Sequence, residues 1–255
     1  MTTAAALFSL AGRSAFVTGA GRGLGTAIAR GLAEAGARVA LADIDREAVE
    51  SAADALRDAG HEAIAMPLDV RDEAAFQLCF DGAVQRFGSV DVMVNNAART
   101  PSTSLWDIGA DEWDDVLAVN LRGSFFGCRI AGRHMRERSA GRIVNLGSMA
   151  GQQASAATGV HYAASKAGVI ALTRAFAQAL APHGVTVNAL APAAVRSPVL
   201  EAMDESRQRT LAAGIPLGRF GEPEEVAAAV LYLASPAAAF ITGATLDLNG
   251  GRLMR

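Results

Sequence analysis

The 255-residue sequence predicts a single-domain α/β protein, a doubly wound, seven-stranded parallel sheet with helices on both faces. Three observations carry that expectation. Short apolar runs alternate with longer stretches of helical periodicity along the whole chain. The runs are continuous rather than alternating apolar and polar, the pattern of strands buried on both faces. The chain is also 51% hydrophobic but only 5% aromatic. Its core must be built mainly from Ala, Val, Leu and Ile, which suits Ala-rich helices packed closely on a sheet.

The first strand is expected at residues 14–17 (SAFV), followed by a glycine cluster and the helical TAIARGLAEAGA. The second, at 38–42, precedes REAVESAADALRDAG, and the third, at 62–67, precedes DEAAFQLCFDGAVQRFG. Further strands are expected at 90–94, 142–146, 185–190 and 245–248. No linker, repeat or low-complexity tract interrupts this alternation, so residues 1–255 read as one domain. The longest irregular stretch, 191–220, follows the sixth strand. Ligands of open α/β sheets bind beyond the carboxyl ends of the strands, so this stretch is expected to form a lid over the substrate.

Charge and composition exclude several functions. With 23 Lys and Arg against 26 Asp and Glu, net charge −3, the chain lacks the basic footprint that nucleic acid or an anionic membrane demands. No apolar run is long enough to span a bilayer, and the N-terminus lacks a basic n-region and a long apolar h-region. A soluble, cytoplasmic protein is the expectation. Cys79 and Cys128 are far apart and outside any CxxC spacing, so two reduced, buried thiols are expected. His61, His134, His161 and His183 show no ligand spacing, and no catalytic metal is expected.

The motif TGAGRGLG, residues 18–25, ends the first strand and opens the first long helix. Glycines there permit a sharp turn and close backbone approach to a pyrophosphate, while the helix N-terminus offers free N–H groups and a positive dipole end. Asp43, at the end of the next strand, stands where a carboxylate accepts hydrogen bonds from both ribose hydroxyls of an adenosine. Asp69 ends the third strand, where it either faces an adenine or caps the following helix.

Beyond this turn come NNAA (95–98), Asn120 in AVNL, Ser148 in NLGSMAG, YAASK (162–166) and PAAVRS (192–197). In this order they resemble the short-chain dehydrogenase/reductase (SDR) family, and the likeness covers nearly the whole chain. The resemblance implies a Rossmann-like fold and NAD(P)-dependent hydride transfer between a secondary alcohol and a ketone. It also implies a cofactor site built from Gly19, Arg22, Gly23, Leu24, Gly25, Asp43, Ile44, Asp69, Val70, Asn96 and Ala97, continued by Tyr162, Lys166, Pro192, Val195 and Ser197. The catalytic set it implies is Asn120, Ser148, Tyr162 and Lys166. Four departures from the family pattern stand out: Ala98 and Ala193 replace usual glycines, Ser197 replaces a usual threonine, and Ser148 precedes Tyr162 by fourteen positions, about one more than is common.

The chemistry of the YxxxK pair follows from helix geometry. Positions 162 and 166 lie one turn apart on one face. An unperturbed Tyr, with a pKa near 10, is a poor base at neutral pH, and a neighbouring ammonium lowers that value. By the resemblance, Lys166 also binds the nicotinamide ribose, Ser148 binds the substrate oxygen, and Asn120 holds a water that relays the proton. Arg99, Gln152, His161 and Arg196 fall in loops at the expected pocket mouth, as solvated or supporting residues more than as substrate ligands. The loop at 149–161 is expected to shape the substrate pocket. RHMRER (133–138) is expected to end a helix, where cations suit the dipole.

Two residues pull the cofactor choice in opposite directions. Arg22 suits the 2′-phosphate of NADP, whereas Asp43 suits the free ribose hydroxyls of NAD and repels that phosphate by roughly 4 kcal/mol at 4 Å and an effective dielectric of about 20. A partly exposed arginine returns less, so NAD is expected. The expected substrate is a small polar alcohol or ketone, sugar- or polyol-like, and no nucleic-acid or membrane partner is expected. A 3-oxoacyl thioester reductase is the alternative, which a basic pocket mouth would favour. A non-catalytic NAD(H) sensor is a second, opposed by the intact Tyr, Lys, Ser and Asn set. The chain is too short for the extra domain of a nucleotide-sugar epimerase. The final helix and strand resemble elements that pack across two-fold axes in the family, which implies a homotetramer.

Overall fold

The computed structural model describes residues 3–153 and 158–254. Its strands are β1 (Ser14–Thr18), β2 (Arg38–Asp43), β3 (Ala63–Pro67), β4 (Val92–Asn95), β5 (Gly141–Leu146), β6 (Val185–Pro192) and β7 (Thr245–Leu248). They form one seven-stranded sheet in the order β3-β2-β1-β4-β5-β6-β7, and every pairing is parallel. From β1 the chain runs outward to β2 and β3, then returns to lay β4 on the other side of β1. The order reverses at the β1/β4 boundary, which opens a crevice beyond the carboxyl ends of those strands.

The helices are α1 (Ala4–Phe8), α2 (Gly23–Glu34), α3 (Arg46–Asp58), α4 (Glu73–Phe87), α5 (Ala110–Leu117), α6 (Gly123–Arg138), α7 (Val160–Leu180), α8 (Pro198–Glu201), α9 (Glu205–Ala213) and α10 (Pro223–Ala234). α2, α3 and α10 cover one face, where Ile28, Leu32, Val49, Leu56 and Val230 pack on Val17, Val39 and Leu41. Small residues let these helices lie close together: a Cβ added to Gly31 of α2 would already stand 3.4 Å from the Cβ of Ala227 of α10. The other face, under α4, α6 and α7, takes much of the aromatic mass: Phe16 of β1 lies 5.9 Å from Phe76 and 5.8 Å from Phe80, ring centre to ring centre. Burial of both sheet faces explains why the strands read as unbroken apolar runs.

The helix starts explain several boundaries. Asp45 accepts from Ala48 N at 3.1 Å and caps α3, and Asp204 accepts from Arg207 N at 2.9 Å and caps α9. α4 is capped by Asp72, which accepts from Ala75 N at 3.0 Å. Of the two readings of Asp69, capping is therefore wrong.

Other expectations need correction too. The stretch 191–220 is less irregular than it reads: Ala191 and Pro192 extend β6, and α8 and α9 follow. His161 lies in the first turn of α7 and is fully buried, not in a loop at the pocket mouth. Cys79 is only partly buried, whereas Cys128 is wholly buried and its thiol is pushed up to about 12 by that burial. The basic run does end α6, but Arg138 also reaches back to Asp91 at 3.2 Å. Among the described residues no helix is long and apolar enough to cross a membrane.

Candidate active site

The glycine turn is tied to the end of β4 by main-chain and side-chain bonds. Thr18 Oγ1 accepts from the amides of Asn96 and Ala97 at 3.0 and 3.1 Å. The Asn96 side-chain amide donates to the carbonyls of Thr18 and Gly19, both at 3.0 Å. A Cβ on Gly25 would overlap the carbonyl oxygen of Gly19, so only glycine lets the turn fold this tightly. Gly23 has φ +57°, and a Cβ there would stand in open space. It begins α2, whose N-cap residue, Arg22, makes no side-chain capping bond. The first turn of the helix therefore offers unpaired N–H groups to an anion beside the glycine turn.

Two cavities open here. One, of about 530 Å³, is lined by Gly19, Arg22, Leu24, Gly25, Asp43, Ile44, Asp69, Val70, Asn96 and Ala97 among others. The second, of about 560 Å³, includes Gly23, Ser148, Tyr162, Lys166, Pro192, Val195 and Ser197. Leu24, Asn96 and Ala98 line both, so the two form one groove across the switch point. All sixteen residues expected at the cofactor lie on it. A pyrophosphate fits the uncapped helix start, and a ribose fits beside Asp43, whose oxygens already accept from Gly21 N at 2.9 Å and Asp45 N at 3.0 Å. Those bonds fix the carboxylate's direction and leave it acceptor capacity toward the groove.

The arginines that line the groove are all paired with acids. Arg22 holds Asp45 at 2.7 Å. Arg71 bridges Asp69 at 2.7 Å and Asp115 at 2.6 Å, and Arg99 pairs with Asp115. The Arg71 hydrogen bond holds the Asp69 carboxyl below its usual range. Arg196 holds Glu222 at 3.1 Å. Gln152 is bonded to Asp247 at 2.8 Å. Sequence reasoning missed Arg71, although its place two residues after Asp69 allowed the local bond from its amide to Asp69 Oδ1 at 2.9 Å.

β5 and α7 position the candidate groups Ser148, Tyr162 and Lys166. Ser148 follows β5, and its Oγ accepts from Ala150 N at 3.1 Å, starting a short 3₁₀ turn. Tyr162 and Lys166 face the second cavity one helical turn apart. Lys166 Nζ lies 5.7 Å from the Tyr162 ring centre and donates to Leu146 O at 2.6 Å. Burial raises the Tyr162 pKa, with Ser148 pulling it back by a hydrogen bond. Burial pushes the Lys166 ammonium down to about 8. The expected lowering of the Tyr162 pKa by Lys166 is therefore not seen in this structure: burial dominates, the only opposing pull is the Ser148 hydrogen bond, and the ammonium is turned to Leu146 O. Residues 154–157 of the expected pocket loop lie outside the described residues.

Asn120 does not line the groove. It is wholly buried in a π-helical turn (Ala118–Arg122) between α5 and α6. Its side chain accepts from Arg99 N at 2.8 Å and donates to Arg99 O and Ser165 Oγ, both at 3.0 Å. The widened turn sets this side chain between the loop after β4 and α7.

Residues 19–252 match the family model described as enoyl-(acyl carrier protein) reductase. The chain is 40% identical over 246 residues to the 3-oxoacyl-(acyl-carrier-protein) reductase of Vibrio cholerae, covering 96% of this chain and 99% of that protein. It is 41% identical to the cis-4-hydroxycyclohexanecarboxylate dehydrogenase of Sinomonas cyclohexanicum over 244 residues, 95% of this chain and 97% of that one. Its fold is similar to the crystal structure of a gluconate 5-dehydrogenase from Burkholderia cenocepacia in complex with NADP and tartrate, at TM-score 0.92 and 35% identity, covering 98% of each chain. The doubly wound sheet and its groove thus define a nicotinamide-dependent oxidoreductase. The chain belongs to the short-chain dehydrogenase/reductase family.

Proposed function

We propose that the protein interconverts a secondary alcohol and a ketone on a small polar, sugar- or polyol-like substrate, with NAD preferred to NADP. The observation that carries this reading is the convergence of Ser148, Tyr162 and Lys166 on the second cavity. When bound, the nicotinamide supplies the hydride acceptor or donor. Tyr162 takes the proton from the substrate hydroxyl in oxidation and returns it to the ketone oxygen in reduction. Ser148 holds that oxygen by a hydrogen bond, and Lys166 stabilises the phenolate. Asn120 orders the site through its side-chain bonds to Arg99 and Ser165, and a relay water would be held by its Oδ1 or its main-chain carbonyl, each of which already accepts one hydrogen bond.

A polar substrate is supported by the rim of the second cavity, which carries Thr100, Arg196, Ser197 and the carboxylates Glu201, Glu222 and Glu224. Glu222 is paired with Arg196 and Glu224 with Arg30, so among the described residues the rim offers no unpaired cation to favour an anionic phosphopantetheine thioester, the substrate of the alternative reading. NAD is supported by Asp43 and by the pairing of Arg22 with Asp45, which removes the free cation a 2′-phosphate would seek. The segment 193–220, which follows β6 and whose α8 stands at the cavity edge through Glu201, serves as the lid. Exposed Leu217, Phe240 and Met254 near the C-terminus support assembly. A homotetramer would sediment at four times the 26.2 kDa chain mass, and a monomer at micromolar concentration contradicts it.

A screen of polyols, sugar acids, cyclic alcohols and 3-oxoacyl thioesters, followed by nicotinamide absorbance, tests the reading. It predicts turnover of a small hydroxylated substrate with NAD. Turnover confined to 3-oxoacyl thioesters would establish the alternative.

A further inference from the structure

We propose that His161, through Glu112, is a positioning residue that sets Tyr162 and the loop bearing Thr100 in register across the substrate cavity. The inference rests on the assignment of Tyr162 as acid/base. His161 has no exposed surface, its Nε2 meets Glu112 Oε1 at 2.8 Å, and among the described residues no hydrogen-bond partner reaches its Nδ1. A buried imidazole with one nitrogen unpaired costs stability that Phe or Leu in the same space would not. Something other than packing explains a histidine here.

The bond partners show what that is. Glu112, on α5, also accepts from Thr103 Oγ1 at 2.6 Å, and these two bonds, Thr103 first, hold its carboxyl below the usual range. Gly159 N donates to Pro101 O at 3.1 Å. Further along, Asn120 grips both main-chain groups of Arg99 and bonds Ser165. The loop from Arg99 to Thr103 is therefore held at both ends to α7, at His161 through Glu112 and at Ser165 through Asn120. Those two residues are four apart and share one helix face. Tyr162 and Lys166, also four apart, share the face one residue round. Thr100, in the middle of the held loop, lines the substrate cavity with Tyr162. Losing the His161 anchor frees the N-terminal turn of α7 to rotate, and Tyr162 and Thr100 then lose their common frame.

The full-length enzyme tests this with His161→Phe, His161→Gln and Glu112→Leu. Gln places its amide nitrogen near the position of Nε2 and restores a donor to Glu112; Phe keeps the ring and no donor. His161→Phe is expected to lower kcat at least tenfold and to raise the substrate KM, while the dissociation constant for NAD, read by tryptophan fluorescence quenching, stays within twofold. His161→Gln should recover most of kcat, and Glu112→Leu should match His161→Phe. Trp113, whose ring centre lies 6.5 Å from that of His161, reports the local change in a Trp106→Phe background. Folded His161→Phe with kcat within twofold of wild type overturns the proposal, as does a His161→Gln variant no better than His161→Phe. If His161→Phe fails to fold, Glu112→Leu decides in the same way. Tyr162→Phe, run in parallel, separates the two ideas: if it stays active, the acid/base assignment has failed, and if it is dead while His161→Phe is active, only the positioning role has failed.

Discussion

Lys166 Nζ donates to the carbonyl oxygen of Leu146 at 2.6 Å, so the ammonium one turn beyond Tyr162 is fastened to the carboxyl end of β5. The bond joins α7 to the strand from which Ser148 follows. It also holds a charge where burial disfavours one.

That cost is measurable through pH. Burial pulls the Lys166 pKa from 10.5 to about 8. Between those values the unfolded chain keeps a proton that the folded chain has released, so this residue's contribution to stability rises with pH across that window. Below pH 8 the buried ammonium carries its full penalty, on the order of 3 kcal/mol. In the cofactor-free enzyme, Lys166→Met removes the titration. Chemical denaturation at several pH values should show the variant's stability advantage over the wild type shrinking, or its deficit widening, steadily from pH 8 to 10.5. A difference that stays flat over that range means the ammonium is not desolvated as described.

Asp43 is expected to decide the cofactor. Replacing it with Ser removes the carboxylate that repels a 2′-phosphate, a repulsion of roughly 4 kcal/mol at close range. The ratio of kcat/KM for NAD to that for NADP should fall by at least tenfold in Asp43→Ser. A wild type that already favours NADP, or a ratio untouched by the substitution, shows that Asp43 does not read the ribose.

Thr18 is the brace between the glycine turn and β4, since its Oγ1 accepts from two main-chain amides. Thr18→Val keeps the shape and strands both donors. Unfolding free energy should drop by about 2–3 kcal/mol, with weaker NAD binding, because an unpaired buried donor costs about 1–3 kcal/mol. Unchanged stability would mean that water replaces the hydroxyl and that the brace is not structural.

Much of this architecture is legible in the sequence because its signals are local. A strand buried on both faces is a run of Val, Ala and Leu wherever it lies, and the glycine turn carries its own geometry. The groove was equally legible, since Gly19, Asp43, Ser148 and Tyr162 each sit at the end of a strand or the start of a helix that could be read. What escaped was set by distant contacts. The first turn of α7 begins at Gly159 without a side-chain cap, so no start signal told that His161 was helical, and its partner Glu112 is 49 positions away. Asn120 was recognised, but its bonds to Arg99 and Ser165 span 21 and 45 positions, and spacing along one chain does not reveal such pairings. Asp69 reads as a cap from its place before α4, and only the bond from the amide of Ala75 shows that the cap stands three residues on, at Asp72.

The most direct test is the turnover of Tyr162→Phe alongside its affinity for NAD. The substitution removes one oxygen from a half-buried ring and leaves the glycine turn, Asp43 and the Lys166–Leu146 bond in place. A positioned acid/base group is worth about 10² to 10⁴ in rate. The predicted result is a fall in kcat of at least that size, with folding and the dissociation constant for NAD nearly unchanged. A variant that turns over at close to the wild-type rate would contradict Tyr162 as the proton carrier and, with it, the reaction assigned to this groove.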